Sequence, residues 1–190
     1  MIPRSLQIAA GLLLVAVFGM GFYVLRTKRR AEMLEARTDQ RPVAPPVSGP
    51  VGRAVLFVAH DDTATLERRE LQIALPTEPA ERAREALRAV LAIYQERPSP
   101  HAIGAGADVR AVYLVKRNMA VVDTTPDFAN HHPSGVLAES LTIASLAETL
   151  AANTPGITQV KFLVDGRERE TLAGHADLSG FYDVSAMGQQ

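Results

Sequence analysis

Acidic and histidine side chains stand close together at three places, where they could bind a metal ion or transfer a proton. The places are residues 60–62 (His-Asp-Asp), His131 and His132 after Asp127, and residues 175–177 (His-Ala-Asp). None of them has the spacing of a zinc enzyme, in which two histidines separated by three residues lie on one face of a helix. Adjacent histidine side chains also diverge and rarely share one ion. We therefore interpret the three groups as polar strand ends and loops, and we predict no metal site.

Two carboxylates, Asp123 and Asp127, are the candidates for enzymatic chemistry. Such a pair could act as the acid and base of a glycosidase, so an envelope hydrolase is one candidate function. The pattern also fits a simpler role, in which Asp123 ends a strand and Asp127 stabilises the following turn. Gly104 and Gly106 lack the third glycine and the following helix of a phosphate-binding loop, and a Gly-x-Ser-x-Gly motif is absent. We predict no catalytic residue and no cofactor.

A stripe of small hydroxyl side chains runs along the second predicted helix of the folded part. Thr142, Ser145 and Thr149 recur at three- and four-residue spacing, which places them on one face of a helix. The same helix is apolar over a broad arc, so other elements should cover it on most sides. Small side chains allow a second surface to approach closely. We predict that this stripe is either an interaction face for self-association or is covered by a sheet.

The elements that position these residues are predicted by the hydrophobic pattern of residues 53–178. Continuous or alternating apolar residues predict strands at residues 54–59, 70–75, 109–115, 119–123, 160–164 and, as a short last strand, 170–172. Helical spacing of apolar residues predicts one helix over residues 79–96 and a second over residues 134–152. Ser134 is the predicted N-cap of the second helix, because its hydroxyl can accept from a first-turn amide.

The order of these elements predicts the fold class. It reads strand, strand, helix, strand, strand, helix, strand and short strand, with tight turns at residues 117–118 and 165–166 joining neighbouring strands. This order is typical of an α+β fold in which two helices pack on one face of a largely antiparallel or mixed sheet.

An apolar segment at residues 6–25 is long enough to cross a bilayer as a helix. Gln7 is its only strongly polar residue, and at about 1.5 Å per residue the segment spans roughly 30 Å. Four basic residues follow directly within residues 26–30, and no small-residue cleavage site lies between. The segment therefore predicts an uncleaved single-pass anchor, and not a removed signal peptide.

The chain divides into four predicted segments. Residues 1–30 are the transmembrane anchor with its basic flank, residues 31–52 are a proline-rich linker, residues 53–178 are the folded domain, and residues 179–190 are a C-terminal tail. The linker holds four prolines in nine residues, which favour an extended chain that keeps the domain away from the lipid.

Charge is distributed unevenly between the segments. Residues 1–52 carry seven Lys/Arg and three Asp/Glu, whereas residues 53–190 carry thirteen and eighteen. The basic flank suits anionic lipid head groups. An acidic domain is a poor ligand for phosphate backbones, so we predict no nucleic-acid binding. The chain contains no cysteine, which excludes disulfides and thiol chemistry.

Several segments of the folded part carry a family resemblance. They are Ala-Val-Leu-Phe-Val (54–58), Glu-Arg-Arg-Glu-Leu (67–71), Gly-Ala-Asp-Val (106–109), Val-Val-Asp-Thr-Thr-Pro-Asp-Phe (121–128), Ile-Ala-Ser-Leu-Ala-Glu-Thr-Leu (143–150), Val-Lys-Phe-Leu-Val-Asp-Gly (160–166) and Glu-Thr-Leu-Ala-Gly-His (170–175). In this order they resemble a single copy of the GerMN domain of sporulation and spore germination proteins, over about two-thirds of the chain. The chain departs from the family at residues 96–106, where relatives usually have a Gly-Pro turn and a Pro-Gly loop.

The resemblance implies a domain without known enzymatic activity, tethered to the membrane on its extracytoplasmic side. It supplies no catalytic, cofactor-binding or metal-binding residue. The implied function is protein–protein interaction or assembly in the cell envelope, with an envelope protein or a second copy as partner. A peptidoglycan-binding module is the alternative, and it would need exposed aromatic side chains for stacking on sugars. The four basic residues after the anchor favour the opposite orientation, because positive flanks tend to stay in the cytoplasm.

Overall fold

The computed structural model describes residues 49–115 and 118–187. The predicted anchor at residues 6–25 and nearly all of the predicted linker lie outside these ranges. Within them, no helix is both long and apolar enough to span a bilayer.

Strands and helices alternate along the described residues. The elements are β1 (Val51–His60), β2 (Thr65–Ala74), α1 (Pro79–Gln95), β3 (Val109–Val115), β4 (Met119–Thr124), α2 (Pro126–Asn130), α3 (Val136–Asn153), β5 (Gln159–Val164), β6 (Tyr182–Asp183) and α4 (Val184–Met187). The α+β class predicted from the sequence is confirmed, as are both long helices and the β3–β4 hairpin.

The strands form two sheets, and not the single sheet that was predicted. β1 and β2 make an antiparallel pair, with Val51 opposite Ala74 at one end and His60 opposite Thr65 at the other. The second sheet has the order β3-β4-β5-β6 and is mixed, because β4 and β5 are parallel while the outer pairs are antiparallel. The prediction was wrong on this point because α3, and not a strand, lies along the second edge of β1.

The two long helices bring the sheets into one hydrophobic core. α1 packs against β1, β3 and α3, and α3 also packs against β1 and β2. α1 begins as the sequence predicts, with the carboxylate of Glu78 accepting from the amide of Glu81 at 2.7 Å and Pro79 in the first turn. The core is filled by large side chains from both sheets and both helices, including Tyr94, Phe128 and Phe162.

Two local predictions were wrong. Ser134 is not the N-cap of α3, because Gly135 takes that position without a side-chain cap. Residues 170–172 do not form a strand, and only an isolated bridge joins Thr171 to Asp177. The backbone amides just after this segment bind a carboxylate on α3, which makes them unavailable to a strand ladder. The partner of β5 is instead β6, which lies within the segment predicted as a C-terminal tail.

Candidate functional site

The hydroxyl stripe of α3 lies inside the domain. Thr142, Ser145 and Thr149 are each 0% exposed. β1 covers Ser145 and Thr149, and His101 and His132 cover Thr142. A second molecule could reach these three side chains only if the elements that cover them moved away.

Side chains of α3 take the place of a third strand beside β1. The amide of Val55 donates to Asn153 Oδ1 at 3.1 Å, and the amide of Phe57 donates to Thr149 Oγ1 at 2.9 Å. In return, Asn153 Nδ2 donates to the carbonyl of Val55 and Ser145 Oγ donates to the carbonyl of Phe57, each at 2.6 Å. We call this set the side-chain ladder. It satisfies the backbone groups of β1 that point away from β2, which would otherwise be buried without partners.

The ladder works because the repeats of helix and strand nearly match. Four residues of helix rise about 6 Å and two residues of strand rise about 6.8 Å, so Thr149 and Asn153 meet alternate residues of β1. The sequence pattern indicated the hydroxyl stripe, but it did not predict Asn153 as part of it. Its four-residue spacing from Thr149, which is itself four residues after Ser145, was the signal that could have found it.

Tyr94 extends the ladder from α1. Its phenolic oxygen accepts from the amide of Ala59 at 2.7 Å and lies 2.6 Å from Ser145 Oγ. Because Ser145 uses its own proton on the carbonyl of Phe57, the phenol donates to Ser145. Burial raises the pKa of Tyr94 to about 12, which keeps this proton in place at physiological pH.

Thr142, the stripe residue nearest the start of α3, contacts two buried histidines. Its Oγ1 lies 2.5 Å from Nε2 of His101 and 2.7 Å from Nε2 of His132. Asp61 Oδ1 lies 2.5 Å from Nδ1 of His101, which gives the carboxylate–imidazole–hydroxyl order of a hydrolase triad. However, His101 and Thr142 are both 0% exposed, so no substrate reaches the hydroxyl. This arrangement holds the loop after α1 against α3.

Three further candidate residues from the sequence have structural partners, whereas Asp62 is exposed. His60 Nε2 lies 2.9 Å from Glu67, His131 Nδ1 lies 3.1 Å from Asp127, and Asp123 Oδ1 accepts from the amide of Gly166 at 2.7 Å. Within the described ranges, no three acidic or histidine side chains converge in a way that could hold a metal ion. Asp123 thus contacts the turn at Gly166, whereas Asp127 contacts His131 at the end of α2.

Glu139 is a buried carboxylate that the sequence analysis missed. Its Oε2 accepts from the amides of Ala173, His175 and Ala176 at 3.0, 2.9 and 2.9 Å. Burial alone would raise the pKa of this carboxyl, but the amides and the His175 ring outweigh burial and lower the pKa well below its usual range. Glu139 thus fixes the Gly174–His175 turn to the start of α3.

An open groove of about 1010 Å³ lies between α3, β2 and the segment before β6. Apolar side chains line much of it, and Leu137 and Phe181 are 52% and 47% exposed at its rim. Glu148, Asp177 and Asp183 also line it. We call it the α3 groove. The sequence predicted a helix covered on most sides, whereas the groove leaves part of the apolar arc of α3 open to solvent.

The chain matches one protein family and is similar to a few solved structures. The family model "Germane: Sporulation and spore germination" matches residues 55–170. The tandem GerMN domains of the sporulation protein GerM from Bacillus subtilis give a TM-score of 0.54 at 16% identity, covering 70% of this chain and 46% of that chain. This chain thus spans about half of the tandem protein. No curated protein matches the sequence.

Two further solved structures are similar at lower scores. The first GerMN domain of the same Bacillus subtilis protein gives a TM-score of 0.44 at 18% identity, covering 67% of this chain and 92% of that chain. A Clostridium perfringens protein that is provisionally named a lipoprotein gives 0.49 at 16% identity, covering 76% and 94%. The family match extends over more than half of the chain and includes both long helices. The chain therefore belongs to the Germane family of sporulation and spore germination domains, as its resemblance to the GerMN domain predicts.

Proposed function

We propose that this protein is a membrane-tethered, non-catalytic domain of the cell envelope that binds another protein through the α3 groove. The observation that carries the proposal is the group of large apolar side chains that the groove presents to solvent, with Leu137 and Phe181 at its rim. A contiguous apolar surface of this kind is characteristic of docking sites, because it is costly to leave in water.

The tether is the second part of the proposal. The apolar segment at residues 6–25 and the proline-rich linker at residues 31–52 would hold the domain beside a bilayer. The place outside the cytoplasm follows from the resemblance to the GerMN domain, which the family match over residues 55–170 supports. Two reporters fused to the C-terminus test this orientation. A reporter that works only outside the cytoplasm should show activity, and activity of a reporter that works only in the cytoplasm would contradict the orientation.

The absence of catalysis is supported by what the polar side chains do. The histidines singled out in the sequence, with Asp61, Asp123 and Asp127, contact other residues of the domain. The hydroxyl nearest to a triad geometry, that of Thr142, is buried. None of the candidate residues faces the α3 groove except Asp177.

Peptidoglycan binding is less well supported than protein binding. Sugar sites use exposed aromatic rings, but Tyr94 and Phe128 are buried in the core. Tyr113 on β3 is 54% exposed but does not line the groove. Phe181 is exposed, yet Nζ of Lys161 lies 5.6 Å from the centre of its ring and occupies one face. The walls of the groove that α3 and β2 contribute are largely aliphatic, which suits apolar side chains better than sugars.

In-cell crosslinking followed by mass spectrometry tests this function. Leu137→Asp places a charge at the rim of the groove, in the first turn of α3 where an acid is tolerated. Leu71→Asp is the matched control, since Leu71 is exposed on β2 and does not line the groove. The proposal expects a protein neighbour that is lost with Leu137→Asp and kept with Leu71→Asp. An unchanged set of neighbours, or binding of purified cell wall alone, would contradict it.

A further inference from the structure

Glu148 is the one carboxylate lining the α3 groove that the domain itself does not use. It lies on α3, one turn after Ala144, and is partly buried against the apolar wall. Among residues 49–115 and 118–187, no donor or cation pairs with its side chain. The two other acids of the groove are already engaged, because Asp177 Oδ1 accepts from the amide of Ser179 at 2.8 Å and Asp183 Oδ1 accepts from the amide of Ser185 at 2.9 Å.

The position of Glu148 is unfavourable for a charged group. Burial raises the pKa of its carboxyl, with no hydrogen bond or cation to offset the lost hydration. A partly desolvated charge without a partner costs free energy, whereas a neutral side chain of the same shape would not incur this cost. A partner that brings its own cation would offset it.

The charges around the groove specify the sign of that partner. In the described part of the chain, Glu148, Asp177 and Asp183 are its charged lining residues, and no Lys, Arg or His lines it. Lys161 on β5 is not a lining residue: its Nζ lies 5.6 Å from the ring of Phe181, and it pairs with Glu168 and donates to the carbonyl of Ser179. Anionic lipid and nucleic acid would be repelled by this surface, and a cationic apolar ligand would be attracted.

The size of the groove specifies the kind of partner. At about 1010 Å³ it lies at the upper end of the range for small-molecule sites, about 300–1,000 Å³. Its rim is open along α3 from Leu137 to Glu148, which is a rise of eleven helical steps or roughly 16 Å. A peptide segment with several apolar side chains fits this length better than a compact ligand.

We propose that the α3 groove binds an apolar segment of a partner protein that carries a Lys or Arg side chain, and that this cation pairs with Glu148. The inference rests on the proposed function and adds the chemistry of the partner. Apolar side chains of the segment pack between α3 and Phe181, and the cation reaches the Glu148 carboxylate at the end of the groove opposite Leu137. The ion pair selects the partner, because a neutral or acidic segment leaves Glu148 buried without compensation.

Peptide binding to the full chain in zwitterionic nanodiscs tests the inference. The probe is a fluorescent twelve-residue peptide of Leu, Ala and Ser with one central Lys, and its matched control has Gln in place of Lys. Fluorescence anisotropy, corrected with empty nanodiscs, measures both affinities. We expect the Lys peptide to bind about tenfold more tightly than the Gln peptide to the wild type, as for a charge-assisted hydrogen bond.

Two variants assign the preference to Glu148. Glu148→Gln should remove the preference for Lys, and Glu96→Gln, on an exposed residue that does not line the groove, should keep it. A melting temperature that is unchanged or raised in Glu148→Gln shows that the loss does not come from unfolding. Equal affinities of the two peptides, a preference that survives Glu148→Gln, or no binding of the Lys peptide up to about 1 mM overturns the inference. A set of protein neighbours in cells that Leu137→Asp leaves unchanged overturns the proposed function separately.

Discussion

Thr149 Oγ1 accepts a hydrogen bond from the backbone amide of Phe57 at 2.9 Å, so a helix side chain supplies the acceptor that a neighbouring strand would otherwise provide. The same edge of β1 continues in this way to its end, where the amide of Asp61 donates to the carbonyl of Pro100 at 3.0 Å. An open strand edge invites pairing with other chains. This edge is covered from within, whereas the α3 groove, on another side of the helix, is open to the partner that we propose.

Thr149→Val should destabilise the domain without changing its shape. Valine matches threonine in size but cannot accept from the amide of Phe57, which is left buried and unpaired. We expect a loss of about 1–3 kcal/mol in the free energy of unfolding, measured by urea denaturation of the full chain in mild detergent. Thr158→Val is the control, because Thr158 is exposed. A loss below about 0.5 kcal/mol would mean that the ladder does not stabilise β1.

Ser145 distinguishes a structural stripe from an interface. Ser145→Ala removes the link between the phenol of Tyr94 and the carbonyl of Phe57, and we expect a loss of about 1–3 kcal/mol. Ser145→Arg should prevent folding, since the site is fully buried. Thermal unfolding measures both changes. A stable Ser145→Arg protein with altered crosslinking between copies would instead support a self-association face.

Glu139→Gln should remove part of the acid sensitivity of the domain. The folded-state pKa of Glu139 is lowered, so its contribution to stability is present above the unfolded pKa of about 4.3 and is lost as pH falls toward the folded pKa. We expect the wild type to be clearly more stable than the variant at pH 7 and the difference to shrink below about pH 4. Urea denaturation across this range measures it. A difference that stays constant with pH would show that the charge of Glu139 is unimportant.

Glu148→Gln should change the stability at pH 7 in the opposite direction to Glu139→Gln. The folded-state pKa of Glu148 is raised, so the protonated form stabilises the domain at low pH, and this stability is lost as pH rises through the folded pKa. At pH 7 the variant should therefore melt about 1–3 °C higher than the wild type. A lower melting temperature would indicate that Glu148 has a stabilising partner, and would remove the reason to assign it to binding.

The elements with local signals were predicted well from the sequence. α1 has an N-cap, a proline in its first turn and regular apolar spacing, and the turn at Asp165 and Gly166 follows from residues that tolerate positive φ, 55° and 70° here. The site depends on partners far apart in sequence. Glu139 contacts Ala173, which is 34 positions away in the sequence, and Asn153 contacts Val55, which is 98 positions away. No local sequence pattern predicts such pairs.

The hydroxyl stripe shows the limit of pattern reasoning most clearly. The spacing of Thr142, Ser145 and Thr149 correctly indicated one helix face and a closely approaching neighbour. It could not tell a strand of the same chain from a second molecule, because both would use small side chains. The α3 groove was not predicted for a related reason. Leucine is a residue type that a hydrophobic pattern assigns to the core, although Leu137 is 52% exposed here.

The central claim, that the α3 groove is the protein-binding surface, is tested most directly by site-specific photo-crosslinking in living cells. A photoreactive amino acid replaces Leu137 at the rim of the groove and, in a parallel strain, Leu71 on β2, which is 41% exposed. The account predicts a discrete crosslinked protein from position 137 that position 71 does not give. The same products from both positions, or none from position 137, would contradict it.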